Sequence, residues 1–317
     1  MAKIIPKQGV DVDEGKPSIG HELLELGSRN FFYPFDKVWC RPFSIMELNS
    51  LNFARKSGKI RPYVDALTAC LNVDAGLLTP SDFYQVAYWL RLNSYPTRPF
   101  SIPWECRKPA HLALANRPTT GLTEDEVEEI TLAKASLSNV TPVKSNEVIV
   151  NVLEDEALSK IADHVKAVAM KPHGILLAMT TMSDLIEEAE LMEQHIRNEK
   201  ARMNGIEITD IDEVLEGIID NQQDELYVEL ASHIHRSYGS TLADRIKYLI
   251  QVAQDDPSIL GYDFYEDVQE FQRLCAHGVE ETVTVVCRGC GDATTLNVEL
   301  DVSDFFPESG APRPRQL

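Results

Sequence analysis

The segment Cys287-Arg288-Gly289-Cys290-Gly291 carries the most specific chemistry in this sequence. Two thiols two residues apart, with glycines easing a tight turn, match one half of a tetrahedral zinc site. The amides of such a turn can also donate to the sulfurs. A closed structural site needs two further ligands. Alternation on either side, at Val279 to Val286 (VEETVTVV) and Thr294 to Val302 (TTLNVELDV), predicts a two-strand ribbon around the cysteine turn. A redox Cys-x-x-Cys favours a strand-to-helix junction in a thioredoxin-like unit. Strands on both sides therefore favour structural zinc (Zn2+) over a redox dithiol, with free thiols as the remaining reading.

Two pairs compete for the other half of the site. Cys106 and His111 form a C-x4-H pair beside a predicted strand, and this pair is favoured. Cys275 and His277 lie closer in sequence to the knuckle, but a single intervening residue at a helix end makes chelation awkward. Cys275 reads equally well as a small buried apolar residue. Cys40 and Cys70 sit among apolar residues and read as core. His233 and His235 are the remaining close histidine pair. They fall inside a predicted helix, where positions i and i+2 face different ways, so they read as helix surface or core.

The sequence carries no nucleophile elbow, P-loop, G-x-G-x-x-G turn or H-E-x-x-H helix. No catalytic residue is named and no enzymatic activity is expected. A hydrolase with a glycosidase-type acid pair is the catalytic alternative, and nothing specific points to it.

Lys plus Arg number 30 and Asp plus Glu 50, which gives a net charge of −20. Such a chain is a poor general binder of phosphate backbones, and no nucleic-acid partner is expected. A basic protein partner would suit it. The N-terminus lacks the apolar core of a signal peptide. No apolar stretch approaches a membrane span, the longest being Gly174 to Met179. Six cysteines in 317 residues do not make a secreted disulfide framework, so reducing surroundings are assumed.

The elements that must position the cysteines follow from caps and periodicity. Residues 1–30 read as an extended polar arm. The aromatic run FFYPFDKVWCRPFS reads as a strand that docks onto a core. Ser44 with Glu47 and Thr123 with Glu126 are capping boxes that open helices. Arg61 to Val73 reads as a helix, and Thr79-Pro80 opens another that runs to about Ser94. Phe100 to Trp104 is the predicted strand before Cys106. Glu147 to Leu153 (EVIVNVL) looks like a central strand. Asp155 to Met170, Ser183 to Met203 and Tyr262 to Cys275 are helical by spacing, with further starts near Asp210 and Ser240.

The expected fold is therefore α+β and mostly helical, with small β elements and a C-terminal zinc-ribbon-like hairpin. The expected divisions are an arm at 1–30, an α+β region at 31–154 and a helical region at 155–278. A ribbon at 279–306 is expected to pack on the N-terminal region, and 307–317 to form a flexible tail.

This order of features resembles the baseplate hub subunit and hub-assembly proteins of contractile-tailed bacteriophages of the T-even type. The shared features are an aromatic strand reading PFS before a capped helix, a strand ending in cysteine, a central VIVNV strand, a long helical middle, then CxxC and a closing LDVSDFF. In that family two strand-borne cysteine pairs lie far apart. Cys287 and Cys290 match the second pair, and Asp301 to Phe306 matches the acidic-aromatic segment after it. The first pair falls at Trp104 to His111, where this sequence offers Cys106 and His111 in place of two cysteines. Imidazole can replace thiolate on zinc.

The resemblance implies a structural or assembly protein of a tail baseplate, present in the virion in several copies and in the host cytoplasm during assembly. Its partners would be other hub proteins, the tail tube or the tape-measure protein. The alternative is a tail-assembly chaperone or zinc-ribbon adaptor that is absent from the finished particle.

Overall fold

Capping fixes where most helices begin. In the computed structural model, which describes residues 21–94, 100–143, 149–204, 225–256, 261–279 and 282–297, the first helix opens on the reciprocal Ser44–Glu47 box and closes at Gly58, whose φ of 66° suits glycine. The described chain begins with β1 (Glu22–Leu24), antiparallel to β2 (Val38–Cys40), then α1 (Ile45–Ser57) and α2 (Arg61–Thr68). Helix α3 (Pro80–Ser94) starts at the expected proline, with Thr79 Oγ1 accepting from the Asp82 amide at 3.4 Å. Next come β3 (Phe100–Glu105), α4 (Pro109–Ala115), α5 (Glu124–Ala135) on its Thr123–Glu126 box, and β4 (Ser138–Val143). Then follow β5 (Val150–Asn151), α6 (Asp155–Ala169), α7 (Met182–Met203), α8 (Glu225–Ser232), α9 (Leu242–Asp255), α10 (Tyr262–Leu274) and β6 (Gly278–Val279). The hairpin β7 (Thr282–Val286) and β8 (Ala293–Asn297) ends the described chain. The protein is mostly helical, and its strands form small antiparallel pairs.

The chain divides into two compact units, both discontinuous in sequence. One joins residues 1–87 to 151–278, and the other joins 88–150 to 279–317. The sequence alone predicts boundaries at 30/31, 154/155, 278/279 and 306/307.

The first unit has a core at helical spacing. Leu242, Ile246 and Leu249 of α9 meet Phe264, Val268 and Phe271 of α10, together with Ile161 and Val168 of α6. These positions recur at i, i+4 and i+7, so one face of each helix is apolar. The unit also holds a buried ion pair. Asp184, the N3 residue of the Thr181 capping box on α7, accepts from Arg245 Nη2 at 2.5 Å and from Arg236 Nη2 at 3.3 Å. Arg245 also donates from Nε to the Ala231 carbonyl at 2.9 Å. Asp184 is 3% exposed and Arg245 1%.

Several expectations are corrected here. Residues 21–30 are not an arm: Glu22–Leu24 pair with β2, and Leu26 and Ser28 are buried. Residues 1–20 and 307–317 lie outside the described residues, as does the helix start near Asp210. In the FFYPFDKVWCRPFS run, only Val38–Cys40 is strand. Left-handed Arg29 and Asn30 turn the chain just before the run, whose rings pack together, Tyr33 stacking on Phe35 with centroids 4.7 Å apart.

The EVIVNVL run is no central strand. Within its described part only Val150–Asn151 pair, with β6, while Ile149 and Val152 stay exposed. With β6 as its one partner among the described strands, the run has no sheet interior to fill.

His233 and His235 lie just beyond α8, in a strand-like bridge where Ile234 opposes Leu177. The His233 carbonyl and the His235 amide make the bridging hydrogen bonds, each 2.9 Å long, to Ala178 and Leu176. Both rings are buried.

A second buried pair makes the first unit sensitive to pH. His277 Nδ1 donates to the Cys275 carbonyl at 2.6 Å, and Nε2 lies 3.3 Å from Asp82 Oδ1. Asp82 and the Cys275 carbonyl accept on the two nitrogens and favour the imidazolium, while Thr79 Oγ1, 3.4 Å from Nε2, can partner either form. Burial opposes that charge, but the hydrogen bond and ion pair with Asp82 outweigh it and raise the His277 pKa. Burial likewise opposes the Asp82 carboxylate, and His277, Ser28 and Tyr33 bring its pKa down. The raised histidine contributes fully below its unfolded value of about 6.5 and loses this as pH rises through the folded value. The lowered aspartate contributes above its unfolded value of about 3.9 and loses this as pH falls. Stability from the pair therefore peaks between about pH 4 and pH 6.5. Urea midpoints should fall from pH 6.5 to 9 in the wild type more than in His277→Gln. Parallel profiles would refute the charged pair.

Candidate metal centre

The second unit is built on two hairpin-like pairs. β3 and β4 run antiparallel, with Trp104 opposite Asn139 and Glu105 opposite Ser138. β7 and β8 pair from Thr282–Asn297 to Val286–Ala293, so the CxxC turn closes this hairpin. Cys106 follows β3 directly, and its amide donates to the Leu137 carbonyl at 2.9 Å. Pro109 in the first turn of the short α4 starts a helix that carries His111 inward. Trp104, Cys106, Val285 and Cys287 form the buried apolar cluster around the site, with Val283 and Leu296 packed against it.

Four side chains converge there. The ligand atoms of Cys106, His111, Cys287 and Cys290 all lie within 4.8 Å of one another, and this is the metal-capable cluster among the described residues. Cys106 Sγ is 3.8 Å from Cys290 Sγ, and Cys287 Sγ is 3.5 Å from His111 Nδ1. Cys106, His111 and Cys287 are buried, and Cys290 is exposed. At 3.8 Å the two sulfurs are not joined, since a disulfide needs about 2.05 Å. The cluster can hold a metal ion.

Its surroundings prepare the ligands. His111 Nε2 lies 3.0 Å from the Ala133 carbonyl, so Nε2 carries the hydrogen and the Nδ1 lone pair points at the thiols. Ser136 Oγ, 3.2 Å from the same nitrogen, donates onward to the Leu132 carbonyl. Asn139 Nδ2 donates to Cys287 Sγ at 3.9 Å, and its Oδ1 accepts from the Arg288 amide at 3.4 Å.

Burial alone would raise the Cys287 thiol. The amides of Cys290 and Gly289, helped by the thiols of Cys106 and Cys290, overturn this and bring it down to about 6. Burial raises Cys106, and the neighbouring Cys287 and Cys290 add to that against the Lys108 amide. Cys287 is therefore poised to ionise, and a thiolate is the metal-binding form.

Two glycines fit the knuckle for different reasons. Gly291 has φ 72°, the left-handed turn that brings the chain back toward β8. Gly289 is needed for space. A Cβ there would lie 2.1 Å from Ser136 Oγ and 2.7 Å from His111 Cε1.

The alternative pair finds its partners elsewhere. Cys275 and His277 belong to the first unit, Cys275 in its apolar core and His277 on Asp82. Cys40 and Cys70 are buried there as well, and burial pushes the Cys70 thiol up to about 12. Sequence reasoning missed the roles of Asn139, Ser136 and Gly289. The first two have no motif, and Gly289 reads as turn chemistry until His111 is placed beside it.

Fold and site together define a mostly helical protein with a metal-capable Cys3His cluster joining distant segments. No family model matches the chain, and neither does any curated protein or solved structure. No described helix is long and apolar enough to cross a membrane.

Proposed function

We propose that the protein is a structural and assembly component in which zinc, held by Cys106, His111, Cys287 and Cys290, ties a zinc-ribbon-like hairpin to the 104–139 segment. One observation carries this reading: the cluster already supplies four ligands. Four protein ligands close a structural site, whereas a catalytic zinc keeps a position open for water. Bonds of about 2.3 Å to sulfur and about 2.0 Å to nitrogen at tetrahedral angles span about 3.8 Å between sulfurs and about 3.5 Å between sulfur and nitrogen. The Cys106–Cys290 and Cys287–His111 separations match those two edges. The protein would then work in the hub region of a contractile phage baseplate, touching hub, tube or tape-measure proteins. That part is supported by the sequence resemblance.

Metal content by plasma mass spectrometry tests the tie. One zinc per chain is expected, lost in Cys106→Ser and Cys287→Ser and kept in Cys275→Ser. Gly289→Ala should lower zinc affinity by about 10–100-fold, the scale of a disturbed ligand-orienting shell. A zinc-free wild type after reducing, chelator-free purification would sink the tie. Mass spectrometry of purified tails and their assembly intermediates tests the place of action. Presence in intact particles supports a virion component, and presence in intermediates alone an assembly factor. Absence from both would overturn the baseplate reading.

A further inference from the structure

We infer that Cys106 and Cys290 form a reversible disulfide that replaces the metal when the protein meets an oxidant such as hydrogen peroxide. The inference rests on the tie proposed above, because the disulfide takes over the same junction. Three observations carry it. The two sulfurs stand 3.8 Å apart although 184 residues separate them in sequence. Cys290 is the exposed thiol of the cluster and Cys106 is buried beside it, so one is open to oxidant and the other is screened. Cys287 is buried and engaged by His111 Nδ1 at 3.5 Å and by Asn139 Nδ2 at 3.9 Å.

The steps balance. The Cys290 thiolate attacks peroxide, an S–O bond forms, the O–O bond breaks, and hydroxide leaves and takes up a proton. The Cys106 thiol then attacks the oxidised sulfur. The S–S bond forms, the S–O bond breaks, and the departing hydroxide takes the Cys106 thiol proton and leaves as water. Two sulfurs together lose two electrons, which the peroxide gains, and any bound metal departs as the free cation. The sulfurs need only close from 3.8 Å to about 2.05 Å. In a reducing compartment the thiols persist and metal makes the tie, and in an oxidising one the disulfide makes it. A protein that assembles in a cell and acts outside it keeps the junction in both.

The full chain, once metal-loaded and once stripped with chelator, is treated with stoichiometric hydrogen peroxide and mapped by non-reducing peptide mass spectrometry. The expected product is a monomer lighter by two hydrogens, with one crosslinked peptide joining Cys106 to Cys290. Dithiothreitol should reverse it. Cys106→Ser and Cys290→Ser should lose the crosslink, and Cys287→Ser should keep it. A Cys287–Cys290 crosslink, or sulfinic acid at Cys290 with no crosslink, overturns the inference in the wild type alone, whether or not the variants fold. Metal content of the same samples separates the two readings: a missing metal sinks the zinc tie, and the crosslink map decides the disulfide.

Discussion

Replacing Arg245 with leucine should destabilise the first unit by about 3–5 kcal/mol, the cost of leaving one member of a buried ion pair without its partner. The guanidinium is 1% exposed, and three of its nitrogens have partners: Nε on the Ala231 carbonyl, Nη1 on the Gly239 carbonyl at 3.4 Å, Nη2 on Asp184. Leucine fills part of the volume but takes a donor from each of the three acceptors. Arg236 keeps its 3.3 Å contact with Asp184 while also donating from Nη2 to Thr181 Oγ1 at 2.8 Å, so the carboxylate retains one cation and the loss falls toward the low end of that range.

Asp184→Asn should cost less, since the amide oxygen can still accept and the capping role of Asp184 partly survives. The double variant Asp184→Asn/Arg245→Leu should lose clearly less than the sum of the singles, because a buried carboxylate that has lost its nearer cation is the expensive species. Urea denaturation read by near-ultraviolet dichroism measures all three. A loss below about 1 kcal/mol in Arg245→Leu, the scale of a surface pair, would show that the pair is solvated in the working protein.

The same unit shows which parts of the fold a sequence exposes. Helix starts are local: a hydroxyl and a carboxylate three residues apart satisfy each other's amides wherever they occur. Ser44–Glu47 and Thr123–Glu126 were therefore readable. The start near Ser240 was readable to within one residue, Thr241 holding the cap instead. Burial is not local. Leu26 looks like part of a polar arm until Gln85 and Asp82 of α3 accept from the amides of Gly27 and Ser28 at 2.8 and 3.3 Å. His233 and His235 follow a helical pattern, but the bridge to residues 176–178 stops the helix at Ser232. EVIVNVL has the composition of a central strand, yet composition cannot tell how many strands are available to cover it.

The site was legible for a different reason. Two thiol–imidazole pairs competed for the second half of the site, and the C-x4-H spacing beside a strand favoured Cys106 and His111 over Cys275 and His277, across a gap of 176 residues from Cys287 to His111. What tunes them is ordinary chemistry in the right place: the Ala133 carbonyl, the Asn139 amide, and the missing side chain of Gly289. No spacing encodes these, because each depends on how β3–β4 and the hairpin meet.

Chelating the proposed zinc should release the second unit and leave the first intact. The apolar cluster around the site holds four buried residues, Trp104, Cys106, Val285 and Cys287, and two of these are ligands. So small a cluster supplies on the order of a few kcal/mol, against about 10–16 kcal/mol of apparent binding energy for a structural zinc at neutral pH. A hairpin of two strands is marginal by itself, so β7–β8 depends on this junction. The first unit keeps its own core of fifteen buried residues and its own ion pair. Amide hydrogen exchange of the full chain, before chelation and after it, separates the two. Protection at 104–106, 138–143 and 282–297 should drop by at least 100-fold on chelation and return with zinc. Protection at 242–255 and 262–274 should hold. Equal loss in both regions would mean that one cooperative unit spans the chain. Unchanged protection at 282–297 would mean that hydrogen bonds and packing suffice there, reducing the four ligands to a cluster of satisfied side chains.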